Sequence, residues 1–120
     1  MKYLAWLDRT LAAKLAETPV GRPVFLRAFL QLTSDHGVLR GVAEETIRLA
    51  ARWIGSEVRS VHWQGGVEEG YWTAMVEFEA GQTALISSET PGLGEPAAEL
   101  LLLGQHGSLR FSDVVLEEAR

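Results

Sequence analysis

The apolar positions at the start of the chain recur at helical spacing. Leu4, Leu7, Leu11 and Leu15 stand three or four residues apart, and Asp8, Lys14 and Glu17 fall off that stripe. Residues 2–17 are therefore expected to form an amphipathic helix, with Tyr3 and Trp6 widening its apolar side. Thr18-Pro19-Val20-Gly21-Arg22-Pro23 ends it, because proline lacks the amide donor and glycine tolerates the turn. The period then shortens. Val24–Gln31 (VFLRAFLQ) carries apolar groups on both alternating faces and reads as a strand, with Arg27 as its one charge. Helical spacing returns from Leu39 to Ile54, where Ser34 or Asp35 can cap the start and Gly55 stops the end. The buried side of that helix is expected to be Leu39, Val42, Ala43, Thr46, Ile47, Leu49, Ala50, Trp53 and Ile54. Arg40, Glu44, Glu45, Arg48 and Arg52 take the other side, with Glu44 and Arg48 one turn apart.

The remainder alternates at period two. Glu57–Gln64, Tyr71–Glu79, Gln82–Ser88, Ala98–Leu103 and Ser108–Phe111 read as strands, with turns at Gly65-Gly66, at Glu79-Ala80-Gly81-Gln82 and at Gly104-Gln105-His106-Gly107. Thr90–Pro96 reads as a loop. Helix, strand, helix and then a run of strands is the order of an α+β domain: an open, mostly antiparallel sheet of about six strands with helices on one face. The whole chain, 1–120, is read as one domain. It has an N-terminal helix over 1–18, a main body over 21–113 and a tail over 114–120 that only Val114, Val115 and Leu116 can anchor. Its start at Met1 with a complete amphipathic helix favours a natural beginning.

Such a sheet leaves a second face to be covered. Along Tyr71–Glu79 one face is Trp72, Ala74, Val76 and Phe78, a core side; the other is Tyr71, Thr73, Met75, Glu77 and Glu79. Six strands present several hundred Å² on each face, and monomers seldom leave apolar patches beyond ~300–600 Å² in water. One helix covers only a band of that. A second copy about a two-fold axis is the economical cover, so a homodimer is expected, with Tyr71, Thr73 and Met75 as interface candidates.

Composition narrows the classes. A formal net charge of −5, with eleven scattered basic residues, argues against nucleic acid or an anionic membrane as partner. The absence of cysteine excludes disulfides and thiolate metal sites and fits a reducing cytoplasm. Asp8, Arg9 and Lys14 interrupt any signal-peptide core, and no run reaches the ~20 apolar residues of a membrane span.

Several stretches together resemble one known family. Gly21-Arg22-Pro23-Val24-Phe25-Leu26-Arg27-Ala28, Leu49-Ala50-Ala51-Arg52-Trp53-Ile54-Gly55 with Glu57-Val58-Arg59-Ser60-Val61, Phe78-Glu79-Ala80-Gly81-Gln82-Thr83-Ala84 and Leu103-Gly104-Gln105-His106-Gly107-Ser108-Leu109 are similar to successive pieces of the C-terminal domain of the glucose–fructose oxidoreductase and inositol dehydrogenase (Gfo/Idh/MocA) family. Tyr3–Thr18 resembles the helix that follows that family's nucleotide domain. The resemblance implies a dihydrodipicolinate-reductase-like C-terminal fold and relatives that are NAD(P)-dependent oxidoreductases. It also exposes what is missing. No G-x-G-x-x-G turn stands between a strand and a helix, and the family's Glu-Lys-Pro lysine motif is absent. Counted back from Gly55, the family's proton-transfer histidine falls at or beside Glu45, and its aspartates near Gly41 and Arg48; a one-residue shift brings in Glu44 or Arg40. Gly41, Glu44, Glu45 and Arg48 are thus degenerate positions. A glutamate there serves as a base only when burial or a neighbour tunes it, and the arginines at 40, 48 and 52 favour solvated ion pairs instead.

His36, His62 and His106 have no ligand spacing, and no serine stands in a nucleophile-elbow context. No cofactor, metal or catalytic residue is expected. The expectation is a non-catalytic, stand-alone domain that dimerises through its sheet and can pair with a complete oxidoreductase. The alternative is the substrate-binding half of an oxidoreductase, completed by a separate Rossmann chain. A third reading is a small-ligand site walled by Trp63, Trp72 or Tyr71.

Overall fold

The computed structural model of the chain describes residues 2–92 and 94–114. The expectations for the side chains of Tyr3 and Val114 and for residues 115–120 lie outside the described residues. The elements run α1 (Lys2–Glu17), β1 (Pro23–Gln31), a 3-10 turn at His36–Val38, α2 (Leu39–Ile54), β2 (Val58–Gly66), β3 (Tyr71–Phe78), β4 (Thr83–Glu89), β5 (Ala97–Gly104) and β6 (Gly107–Val114). The strands form one six-stranded sheet in the order β2-β3-β4-β1-β5-β6. Every neighbouring pair is antiparallel except β1 and β4, which run parallel. The first strand in sequence therefore lies in the interior of the sheet, reached from β4 through α2 and the β2–β3 hairpin. This is the α+β class that the hydrophobic pattern predicts.

Local chemistry sets the limits of α2. The Asp35 carboxylate accepts from the Gly37 amide at 2.9 Å and so caps the 3-10 turn rather than the α-helix itself. Gly55 closes α2 in the left-handed region at φ 77°, its amide donating to the Ala51 carbonyl, a conformation that disfavours a side chain. Within the helix the buried Thr46 hydroxyl donates to the Val42 carbonyl at 2.8 Å, so its burial leaves no orphaned donor. The predicted buried side holds for Leu39, Val42, Ala43, Thr46, Ile47, Ala50 and Ile54; Leu49 and Trp53 are half-buried.

Both helices lie on the same side of the sheet. Leu4, Trp6, Leu7 and Leu11 of α1 share one core cluster with Val42, Ala43, Ile47 and Ala50 of α2 and with Leu26, Ala28, Val76, Phe78, Ile86, Leu100 and Leu102 of the sheet. Each fully buried Leu, Ile, Val or Phe among them contributes about 1.5–3 kcal/mol, so this single layer of contact holds the fold. The other side of the sheet is covered by no described element.

One predicted turn is corrected. Gly65 and Gly66 do not turn; they belong to β2, paired with Trp72 and Tyr71. The chain reverses one step later, at residues 67–70, where the Gly70 amide donates to the Gly66 and Val67 carbonyls. The physical reason is visible at Gly65: a Cβ there would collide with the Tyr71 backbone, so the glycine serves close approach of two strands rather than a reversal.

Candidate functional site

Two surfaces qualify as sites, one on each side of the molecule. The first is a groove of about 560 Å³ between the two helices, lined by Leu4, Ala5 and Asp8 of α1 and by Glu45, Arg48, Leu49 and Arg52 of α2. The helical repeat explains its chemistry, since positions 45, 48, 49 and 52 fall on one stripe of α2. Two carboxylates and two guanidiniums therefore share a half-apolar floor. Asp8 ties the helices together: it accepts from the Trp53 indole at 2.7 Å and from Arg52 at 3.1 Å. Sequence reasoning gave Asp8 no role, because its partners lie more than forty residues away. Removing it with Asp8→Ala is expected to lower stability by about 1.5–2.5 kcal/mol in urea denaturation, mostly through the indole bond to a charged acceptor. Arg52→Ala is expected to cost under about 1 kcal/mol, because solvent screens so exposed a pair.

The four positions singled out by the count from Gly55 divide between two places. Glu45 and Arg48 line the groove. Gly41 is exposed, with open space where a side chain would stand. Glu44 pairs with Arg40 at 3.3 Å, not with Arg48 as spacing alone suggested. Arg40 has a second reason to face that way: its guanidinium lies 4.3 Å above the Trp63 ring and 4.9 Å from that of Trp72. The two indoles meet edge to face at 5.9 Å, an arrangement in which the cation adds about 0.5–2 kcal/mol. These tryptophans pin the start of α2 to the sheet. They do not wall a ligand site with Tyr71, whose position in β3 puts it on the opposite face from Trp72.

The histidines are dispersed. His36 bonds the Val67 carbonyl at 2.9 Å through Nδ1, His62 lies on β2, and His106 packs under Gly21. Among the described residues no three His, Asp or Glu side chains converge as a metal ion requires.

The second surface is the uncovered side of the sheet. Register now assigns its members. Met75 stands opposite His62 and Leu85, Thr73 opposite Gln64 and Ser87, and Tyr71 opposite Gly66 and Glu89. Across the parallel pair Phe25, Arg27 and Phe29 meet Thr83, Leu85 and Ser87, and on β5 they meet Leu103, Leu101 and Glu99. The three interface candidates, Tyr71, Thr73 and Met75, all lie on this face. Thr73 shares a hydrogen bond with Ser87 at 3.1 Å, and Gln31 donates to Glu89 at 3.0 Å. The apolar part runs through Met75, Leu85, Phe25, Leu101 and Leu103, of which Met75 is 62 % and Leu103 38 % exposed. Sequence reasoning missed Phe25, Leu85, Leu101 and Leu103 as members, because a strand that is apolar on both faces gives no parity signal until its register is known.

No family model and no curated protein matches the chain. Solved structures do share its shape. A probable dehydrogenase from Thermotoga maritima superposes with a TM-score of 0.74 at 14 % identity, over 89 % of this chain and 38 % of that one. Myo-inositol dehydrogenase from Lactobacillus casei, solved with NAD(H) and myo-inositol, matches with a TM-score of 0.69 at 16 % identity, over 88 % of this chain and 36 % of its own. This is the fold of a dehydrogenase C-terminal domain. A UDP-N-acetylglucosamine 3-dehydrogenase from Acidithiobacillus ferrooxidans shares it too, with a TM-score of 0.63 at 17 % identity over 83 % of this chain and 36 % of that enzyme. The chain spans little more than a third of each of these dehydrogenases, and at such identities the likeness is one of fold. No described helix is long and apolar enough to cross a membrane.

Proposed function

We propose that this chain is a non-catalytic dehydrogenase-type domain that associates with a second copy of itself through the uncovered face of its sheet, in the reducing cytoplasm. The observation that carries the reading is the patch of Met75, Leu85, Phe25, Leu101 and Leu103 on a face that no described element covers. Six strands of about eight residues present roughly 700 Å² in projection, close to the ~800 Å² each partner contributes to a standard stable interface. The groove argues the other half. Counted back from Gly55, the resemblance implies proton-transfer groups at or beside Glu45 and near Gly41 and Arg48; of these, Glu45 and Arg48 line the groove with Asp8 and Arg52, two carboxylates facing two guanidiniums. The same face could also seat a complete oxidoreductase, whose C-terminal domain would present a sheet of this shape.

A second reading is favoured by the size of the groove and by the share of the dehydrogenases that the chain spans: a substrate-binding half, completed by a separate nucleotide-binding chain. Calorimetric titration with NAD(H) and NADP(H) separates the two. The proposed function predicts no heat of binding by the purified chain up to millimolar coenzyme. Tight binding by the chain alone, or hydride transfer on mixing with a Rossmann-type chain, overturns it.

A further inference from the structure

We propose that Arg27 and Glu99 set the register of self-association, each pairing across the two-fold axis with its counterpart on the other copy; this rests on the reading that a second copy covers the open face. Arg27 lies on β1, an interior strand, with Phe25 and Phe29 on either side along the strand and Leu85 and Leu101 beside it on β4 and β5. A cation thus stands in the middle of the apolar patch. Glu99 is its diagonal neighbour on β5, in register with Phe29. Both side chains are exposed, and both line one hollow of about 250 Å³ together with Phe29, Leu85 and Ser87. Neither has an ion-pair partner within 4.0 Å among the described residues.

Covering this face strips water from both charges, and a buried charge without a partner is strongly unfavourable. A two-fold axis running over Arg27 would stack two guanidiniums against each other. Diagonal neighbours on adjacent strands are ~7–8 Å apart, so an axis placed midway between Arg27 and Glu99 moves by only about half that distance. The apolar patch stays covered, and each Arg27 then meets the Glu99 of the other copy. An isologous interface makes both pairs at once, and a guanidinium can hold a carboxylate through two parallel bonds. Of the other carboxylates on this face, Glu89 on β4 already accepts from Gln31 at 3.0 Å, and Glu77 lies two strands from β1 and demands a larger displacement.

The experiment is a charge exchange read by light scattering, with far-UV circular dichroism to establish that each variant is folded. Arg27→Glu and Glu99→Arg are each expected to raise the dimer Kd about 100-fold or more, because each sets like charges against one another in both pairs. In an equimolar mixture of the two, the carboxylate at position 27 of one variant meets the guanidinium at position 99 of the other. The native pair remains at the second contact. The mixture is therefore expected to recover a dimer with a Kd within about tenfold of the wild type. Arg27→Gln and Glu99→Gln, which leave one charge without a partner, serve if a reversal fails to fold; each is expected to weaken the dimer by about tenfold or more. Variants that stay dimeric alone, or a mixture that stays monomeric, overturn the pairing while the reading beneath it stands. A monomeric wild type removes the reading itself and the pairing with it.

Discussion

Replacing Phe78 by alanine is expected to destabilise the domain by about 3–5 kcal/mol, a large part of the roughly 5–15 kcal/mol that holds a typical domain folded. Phe78 is 1 % exposed and lies at the end of β3, on the face that meets the helices. Its amide also closes the turn to β4 by donating to the Gln82 carbonyl at 2.9 Å. The loss therefore combines lost transfer free energy with a cavity beside a tight reversal that has little freedom to collapse. Chemical denaturation reads the change as a fall in midpoint at unchanged slope. A loss below about 1 kcal/mol would mean that the core does not sit between sheet and helices as described.

Met75→Asp is expected to do the reverse, sparing the protomer and breaking the assembly. At 62 % exposure Met75 contributes little to folding, so unfolding free energy is expected to move by about 0.5 kcal/mol or less when measured on monomers. Across a closed face the new carboxylate would lose its water among Leu85, Phe25 and their counterparts, opposite His62 and Leu85 in register. Dissociation is expected to increase at least about 100-fold, or about 2.8 kcal/mol, read by sedimentation equilibrium. The contrast between the two substitutions is itself diagnostic. A residue that supports the fold fails in denaturant, and a residue that supports association fails on dilution.

What the sequence discloses about this fold follows from how local each signal is. The end of α2 is legible because it is written in Gly55, and its interior keeps one period throughout, whereas Asp35 announces the 3-10 turn that precedes the helix. The β3–β4 hairpin is legible for the same reason. The turn after β2 misleads, because two glycines advertise a reversal but both pair within the strand, Gly65 serving a close backbone approach; Glu68, Glu69 and Gly70 mark the true turn. The parallel pairing of β1 with β4 has no local signature, since the two strands are joined only through a helix and a hairpin. The placement of α1 beside α2 is equally hidden. It depends on which sheet face receives Leu4, Leu7 and Leu11, and on Asp8 reaching Trp53 across the gap between helices.

The site divides in the same way. Met75, Thr73 and Tyr71 are recoverable from alternation within one strand. Arg27, Leu85 and Leu101 join them only through register, which no single strand contains. The groove residues Glu45 and Arg48 are marked by counting back from Gly55, yet their company with Asp8 and Arg52 is a matter of packing. A domain that has the fold of a dehydrogenase C-terminal domain and exposes an apolar sheet face is physically suited to bind its own kind.

The most direct measurement is the mass of the purified chain in solution, by size-exclusion chromatography with light scattering over a range of concentrations. Twice the 13.2 kDa of one chain is expected, falling toward the single mass only on strong dilution. A mass of one chain at every concentration would contradict it.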